Sequence, residues 1–284
     1  MTEAPAAPLV STRWLAERLG RADVAILDAS WHLPTANRDP RAEFAAQHIP
    51  GAAFFDIDRI SDPASDLPHM LPDAAAFAAA MGGLGVREDM EIVVYDAVGL
   101  FSAARAWWML SIFGAQRVHV LDGGLPAWLA EGLPVESGVI APAPAAFRAG
   151  LESAAVAGFE DVRSALEAGA CQVADARPAA RFTGEAPEPR PGILSGHMPG
   201  ARSLPASALM NSGRLKPAPA LIEAFAGAGV DPDKPLITSC GSGVSAAIIN
   251  LALATLNKPP ARLYDGSWTE WAMRGGPRAI GPIG

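Results

Sequence analysis

The sequence predicts an α/β fold made of two tandem copies of one domain, each a parallel β-sheet with helices on both faces. Short runs rich in β-branched residues alternate with segments of helical periodicity, which is typical of parallel βαβ units. Several motifs also occur twice, in the same order and at a nearly constant separation. The length of 284 residues fits two domains of ordinary size.

Four pairs of motifs carry the duplication. Along the chain they are VAILDAS with Asp28 and CQVADAR with Asp175, HIPGA at His48–Ala52 and HMPGA at His197–Ala201, EIVVYD ending at Asp96 and PLITSC ending at Cys240, and DGGLPAW at Asp122–Trp128 and DGSWTEW at Asp265–Trp271. Four collinear matches indicate a duplicated domain.

The elements follow from local patterns. A helical segment, Ser11–Leu19, precedes the first apolar strand pattern. In the second half the predicted strands are Cys171–Ala174, Pro235–Ser239 and Ala261–Tyr264, and the predicted helices are Ala220–Ala228 and Ser245–Leu256. The Pro- and Ala-rich stretch Val139–Gly150 lacks either period and reads as a linker. We therefore expect domains at residues 1–144 and 145–284.

Composition excludes several classes of protein. The formal net charge of −8 disfavours binding to nucleic acid, because phosphate backbones would be repelled. No run of apolar residues reaches the ~18 needed for a membrane span. The start of the sequence lacks the features of a secretory signal, and only two cysteines are present, so a disulfide framework is not expected. These features predict a cytoplasmic protein.

The segment Cys240–Ser245, CGSGVS, is the candidate reactive loop. It follows a predicted strand and precedes a predicted helix, at the edge where open parallel sheets place their sites. Gly241 and Gly243 allow the backbone to curl with its N–H groups inward, and the helix adds the positive end of its dipole. Both effects favour a thiolate, which is the nucleophilic form of cysteine. The alternative is an inert buried cysteine at a strand end.

The duplication supplies an internal comparison for that loop. The first half has Asp96 at the corresponding place, followed by the longer segment AVGLFS. A carboxylate cannot perform thiol chemistry, so we expect the second half to be catalytic and the first half to be inactive.

The duplicated motifs and the six-residue loop opened by Cys240 resemble the two-domain rhodanese family of sulfurtransferases, over nearly the whole chain. The resemblance implies tandem rhodanese-like domains and a persulfide on Cys240. The neutral Gly241 and Ser242 resemble the 3-mercaptopyruvate branch, whereas thiosulfate-specific members carry basic residues there. A thiosulfate:cyanide sulfurtransferase is the alternative within the family.

The same resemblance implies roles for further residues. Arg181 and Arg190 would hold the carboxylate and carbonyl of the donor, a task suited to guanidinium groups, and Gly241, Gly243, Val244 and Ser245 would complete the donor site. Ser242, His69 and Asp58 would form a relay that assists proton movements. His48 and His197 occur in both halves, so we expect them to be structural.

No cofactor or metal is expected, since the sequence has no cluster with metal-ligand spacing, no P-loop and no dinucleotide fingerprint. A phosphatase would need an arginine six residues after the cysteine, where Ala246 stands. A non-catalytic sulfur carrier is the other rival. The acceptor (thioredoxin, glutathione, another thiol or cyanide) and the oligomeric state leave no mark in the sequence.

Overall fold

A computed structural model describes residues 7–139 and 141–281 of the protein. These residues form two compact units. The first comprises the described residues up to Ile60, together with Pro72–Glu152 and Ser212–Arg214; the second comprises Ser61–Leu71, Ser153–Asn211 and the described residues from Leu215 onward.

Short strands alternate with helices throughout. The strands are β1 Leu9–Val10, β2 Val24–Asp28, β3 Ala53–Phe54, β4 Glu91–Tyr95, β5 Arg117–Leu121, β6 Val156–Ala157, β7 Gln172–Asp175, β8 Arg202–Ser203, β9 Met210–Asn211, β10 Arg214–Leu215, β11 Leu236–Ser239 and β12 Arg262–Tyr264. The α-helices are α1 Thr12–Ala16, α2 Pro40–Ala46, α3 Ile57–Ile60, α4 Ala74–Gly83, α5 Ala103–Ile112, α6 Gly124–Ala130, α7 Phe159–Ala168, α8 Ala179–Thr183, α9 Ala206–Leu209, α10 Ala218–Gly227, α11 Ala246–Thr255 and α12 Ser267–Met273.

Each unit contains one five-stranded sheet, and the two sheets share one topology. The strand order is β1-β5-β4-β2-β3 in the first unit and β6-β12-β11-β7-β8 in the second, and β9 pairs with β10 separately. Every neighbouring pair within the two large sheets is parallel. The predicted α/β class and the duplicated parallel sheet are confirmed.

Helices cover both faces of each sheet. Crossovers between parallel strands are right-handed, so connections that run in opposite directions along a sheet lie on opposite faces. In the first unit Leu15 of α1, Phe44 of α2 and Trp128 of α6 pack in one buried cluster. In the second unit Val162 of α7, Phe182 of α8 and Trp271 of α12 form the corresponding cluster. The repeated sequence thus buries equivalent side chains twice.

The strand order of the second unit defines where a site can form. From β7 the chain continues to β8, which forms one edge of the sheet. From β11 it continues to β12, which lies towards the opposite edge. The direction of winding therefore reverses between the neighbouring strands β7 and β11, and ligands of open parallel sheets bind beyond the carboxyl ends of strands at such a point. The segments directly after Asp175 and Ser239 lie there.

The predicted linker contains no helix or strand where the structure describes it, and Ile140 lies outside the described residues. From residue 141 onward it packs on the first unit. The N–H of Ala145 donates to the carbonyl of Gly82 at 2.9 Å, and Phe147 is buried. Residues up to Glu152 thus group with the first unit, whereas the sequence predicts a boundary near Ala145. The assignment of an inactive half to 1–144 and a catalytic half to 145–284 stays a prediction.

None of the helices in the described part of the chain is both long enough and apolar enough to span a bilayer.

Candidate active site

The Cys240 loop lies at the carboxyl end of β11, as its sequence predicts. Strand β11 ends at Ser239, Cys240 follows, and α11 begins at Ala246 with Ser245 in the N-cap position. Residues 240–244 are buried, and Cys240 is only 2% exposed. Gly243 has φ +76°, a left-handed conformation that glycine adopts without strain. The loop therefore turns back sharply and brings its amides close to the cysteine.

Ser267, at the start of α12, binds two of those amides. Its Oγ accepts the N–H of Cys240 at 3.2 Å and the N–H of Gly243 at 3.0 Å. These two N–H groups are therefore directed at Ser267 and not at the sulfur. The sequence-based expectation that the loop N–H groups point inward around the cysteine can apply only to the other amides of the loop. The N–H groups of Gly241, Ser242, Val244 and Ser245 make no hydrogen bond within the described structure. They are the amides left for an anion on the sulfur.

In the corresponding loop of the first unit, backbone N–H groups bind the side chain of Asp96. The fully buried Asp96 carboxylate accepts the backbone N–H groups of Val98 at 3.0 Å, Phe101 at 2.7 Å and Ala103 at 3.0 Å. Burial raises the pKa of Asp96, and the N–H donors of Ala103, Phe101 and Val98 oppose that rise. A loop in this position therefore surrounds a buried carboxyl group with backbone N–H donors.

His69 and Ser242 form a buried pair in the second unit. His69 Nδ1 lies 3.0 Å from Ser242 Oγ, and the two residues are 4% and 5% exposed. His69 belongs to the segment Ser61–Leu71, which groups with the second unit although it comes from the first half of the sequence. The N–H of Leu71 donates to Asp265 Oδ2 at 2.7 Å and ties that segment to the turn before α12. Ser242 and His69, which the family resemblance implies as members of a relay, are thus in contact.

Arg181, in α8, lies against the loop. A Cβ atom added to Gly241 would come within 3.0 Å of Arg181 Nη2. The Nε–H of Arg181 is buried and donates to no acceptor in the described structure. A guanidinium with an unused buried N–H beside the Cys240 loop can bind the oxygen atoms of an anion. The absence of a side chain at Gly241 is what leaves room for it.

A buried ion-pair network holds Arg181 in this position. Glu188 binds Arg181 Nη2 through one carboxylate oxygen and Arg177 Nη1 through the other, the latter at 2.8 Å. Arg177 in turn pairs with Asp175, at the end of β7, at 2.6 Å. Burial lowers the pKa of Arg177, but the Asp175 and Glu188 carboxylates outweigh it and raise that pKa above its ordinary value. Glu188 therefore ties Arg181 to the buried pair of Arg177 and Asp175 and fixes the position of its guanidinium.

The other residues that the sequence singles out are Arg190, Asp58, His48 and His197. Arg190 is partly exposed, in the loop after α8 and two residues beyond Glu188. Asp58 is in α3 of the first unit, where it accepts a hydrogen bond from Trp31 Nε1 at 3.2 Å. His48 and His197 each bond a backbone carbonyl through Nδ1 and stack on Phe44 and Phe182, respectively. These two histidines brace equivalent turns, which agrees with a structural role.

Sequence reasoning missed Ser267, Glu188 and Arg177. Ser267 has a visible signal, because it is the residue at which the DGS motif of the second half departs from the DGG motif of the first. Glu188 and Arg177 offer no periodic pattern, since both act through contacts that only the folded loop creates. Within the described residues, no group of three or more potential ligands is arranged to hold a metal ion.

Comparisons with known proteins agree with this arrangement. The model of the rhodanese-like domain family matches residues 11–131 and 159–274. The 3-mercaptopyruvate sulfurtransferase of Escherichia coli K12 is 47% identical over 266 residues, covering 93% of this chain and 95% of the relative. A thiosulfate sulfurtransferase of Gallus gallus is 44% identical over 277 residues, covering 95% of each chain.

A solved structure is equally similar. The crystal structure of SseA from Escherichia coli, described as a 3-mercaptopyruvate sulfotransferase with the rhodanese fold, has a TM-score of 0.85 and 45% identity, covering 92% of this chain and 99% of that one. Two matched rhodanese-like domains, two parallel sheets of one topology and a cysteine loop after the central strand lead to one conclusion. The chain belongs to the rhodanese family and is a tandem-domain sulfurtransferase.

Proposed function

We propose that the protein transfers the sulfur of 3-mercaptopyruvate to a thiol or to cyanide through a persulfide on Cys240, and releases pyruvate. The observation that carries this proposal is the position of Arg181. Its guanidinium lies against Gly241, in a loop that carries no basic residue of its own. A planar guanidinium beside a neutral loop suits the carboxylate of a keto acid better than a dianion such as thiosulfate, for which basic residues in the loop itself are expected.

In the first half-reaction Arg181 and Arg190 bind the carboxylate and the ketone oxygen of the donor. The Cys240 thiolate attacks the donor sulfur, a new S–S bond forms, and the C–S bond breaks. Its electron pair moves to the enolate of pyruvate, whose oxygen the guanidinium groups stabilise. Protonation of the enolate carbon then gives pyruvate. The binding roles of Gly241, Gly243, Val244 and Ser245 belong to the same proposal, with the loop surrounding the sulfur.

The pair of Ser242 and His69 moves protons in this step. A hydroxyl that is hydrogen-bonded to an imidazole can pass a proton to it or receive one from it. The pair is buried, so bulk water does not compete for that proton. We propose Asp58 as the carboxylate that orients His69, following the resemblance to the 3-mercaptopyruvate branch.

In the second half-reaction the acceptor thiolate attacks the outer sulfur of the persulfide and leaves Cys240 as a thiolate. This step follows the logic of thiol–disulfide exchange. Two half-reactions through a covalent intermediate require ping-pong kinetics. Thioredoxin, glutathione and cyanide are the acceptors we propose. Both cysteines, Cys171 and Cys240, are free thiols, which suits the reducing cytoplasm, where we propose that the protein acts.

Steady-state transfer to a thiol, with 3-mercaptopyruvate and thiosulfate compared as donors, tests the proposal. A large preference for 3-mercaptopyruvate, measured as kcat/KM, is expected from the neutral loop and from Arg181. A preference for thiosulfate would overturn the donor assignment and favour a thiosulfate:cyanide sulfurtransferase. Cys240 would remain the nucleophile in that case.

A further inference from the structure

Ser267 occupies an unusual backbone position. It is fully buried as the first residue of α12 and has φ +50°, a left-handed conformation that residues other than glycine seldom adopt. Such positions are retained where the side chain contributes something that glycine cannot. The hydroxyl of Ser267 is that contribution.

The hydroxyl makes three hydrogen bonds. Its Oγ accepts the N–H groups of Cys240 and Gly243, and it donates to the carbonyl of Tyr264 at 2.8 Å. Since the donation to Tyr264 fixes the proton, the lone pairs of Oγ face the loop. One oxygen atom thereby binds the first and the fourth residues of the loop and fixes the curve of the backbone on which the cysteine stands.

The first unit organises the corresponding loop in a different way. Gly124 is the counterpart of Ser267 in the repeated motif and has nearly the same conformation, φ +54°. A Cβ atom on Gly124 would lie 2.4 Å from the carbonyl oxygen of Asp96, so no side chain fits there. The Asp96 carboxylate gathers the amides of Val98, Phe101 and Ala103 instead.

This contrast has a chemical reason. In the first unit Asp96, directly after the strand, organises the loop, and its carboxylate oxygens accept the loop N–H groups. In the second unit that residue is Cys240, and a thiol is a weak acceptor whose sulfur must also be available for reaction. The organising acceptor has to come from another element, and Ser267 is the residue that supplies it.

We propose that Ser267 is a positioning residue for sulfur transfer, which binds the loop amides that a nucleophilic sulfur cannot bind and so fixes Cys240 for attack. This inference rests on the proposed role of Cys240. Ser267 touches no substrate and acts only through the loop. Its removal therefore slows formation of the persulfide and leaves binding of the donor by Arg181 in place.

The test compares the full-length wild type with the Ser267→Gly and Ser267→Ala variants. The rate of persulfide formation from 3-mercaptopyruvate is measured in a single turnover and divided by the concentration of folded protein. Both variants are expected to form the persulfide ~10- to 100-fold more slowly, the usual effect of a misplaced reacting group. The KM for the donor is expected to change less than about twofold. Glycine relieves the strain of the left-handed conformation and alanine keeps it. The two variants are therefore expected to differ in thermal stability but to show the same decrease in the rate of persulfide formation.

Ser239→Ala is the matched control. Ser239 is buried beside Cys240, and its hydroxyl has no hydrogen-bond partner in the described structure, so its removal is expected to leave the rate unchanged. Wild-type rates of persulfide formation in both Ser267 variants would overturn the inference. So would rates that fall in proportion to the thermal stability of each variant, because both variants lack the hydroxyl equally. Cys240→Ser separates this inference from the proposed function. If Cys240→Ser still turns over the donor, the proposed function is overturned. If Cys240→Ser is inactive and the Ser267 variants are fully active, this inference alone is overturned.

Discussion

The imidazole Nδ1 of His69 lies 3.0 Å from the hydroxyl Oγ of Ser242, and both residues are buried. His69 has φ +61°, a left-handed conformation that is uncommon for residues other than glycine. The bond between the N–H of Leu71 and Asp265 fixes the chain two residues further on. A strained residue held at both its backbone and its side chain is typical of a site that requires one defined geometry.

The pair is expected to act as a unit, which a double-mutant cycle measures. His69→Asn keeps a residue that tolerates the left-handed conformation, and Ser242→Ala removes the hydroxyl. Each single change is expected to lower kcat/KM with 3-mercaptopyruvate by about 100-fold, the lower end of the range for proton transfer by a positioned side chain. The double variant is expected to be no slower than either single variant. Losses that multiply would show that the two residues act independently.

Glu188 is expected to control binding of the donor through Arg181. Glu188→Gln keeps the shape of the side chain but removes the charge that pairs with Arg177 and Arg181. We expect KM for 3-mercaptopyruvate to rise about tenfold, equivalent to ~1.4 kcal/mol, with a smaller change in kcat. The matched control is Glu185→Gln, the same charge change at an exposed position of the same loop. An unchanged KM in Glu188→Gln would contradict the positioning role.

Gly241 is expected to be required for its lack of a side chain. Gly241→Ala places a Cβ atom 3.0 Å from Arg181 Nη2, so the guanidinium has to move by a few tenths of an ångström. We expect a higher KM for 3-mercaptopyruvate and a folded protein of nearly unchanged thermal stability. Gly227→Ala serves as the control, because a Cβ atom there meets nothing within 4 Å. Equal kinetics for the two variants would show that Arg181 does not need this space.

The ion pair of Glu88 and Arg148 is expected to make stability depend on pH. The backbone N–H and the guanidinium of Arg148 lower the pKa of Glu88 from 4.5 to about 2. The group therefore stabilises the fold fully above pH 4.5, and this contribution is lost as the pH falls towards 2. The Tm of Glu88→Gln should lie below that of the wild type at pH 7.

This difference should shrink as the pH is lowered from 4.5 to 3, where Glu88 is increasingly protonated in the unfolded chain. Glu152→Gln, at an exposed acid in the segment that carries Arg148, is the control. A Tm difference that stays constant with pH would contradict the assignment.

The fold follows from the sequence because the duplication repeats its local signals. Helix α11 begins one residue after the predicted Ser245, and β11 ends at the predicted Ser239. Such signals are short-range, since apolar periodicity and glycine mark the ends of elements. The linker shows the limit of this reasoning. Its irregular sequence gives no indication that Phe147 is buried and that the segment packs on the first unit.

The candidate site was accessible from the sequence only where chemistry is carried by single residues. Cys240 stands out by residue type and by its place directly after a strand, whereas Arg181 is singled out by the resemblance to the 3-mercaptopyruvate branch. Glu188 and Ser267 act through hydrogen bonds that exist only once β7, β11 and the turn before α12 are adjacent in space. The position of His69 is likewise a product of the tertiary fold, because its segment groups with the unit that follows it in the sequence.

Mass spectrometry of the protein after reaction with 3-mercaptopyruvate, without an acceptor, tests the central claim most directly. We predict one added sulfur atom on the peptide that contains Cys240, its removal by a thiol, and release of one pyruvate for each sulfur bound. Cys171→Ser should behave as the wild type, whereas Cys240→Ser should gain no sulfur. Sulfur on Cys171, or turnover by Cys240→Ser, would contradict the account.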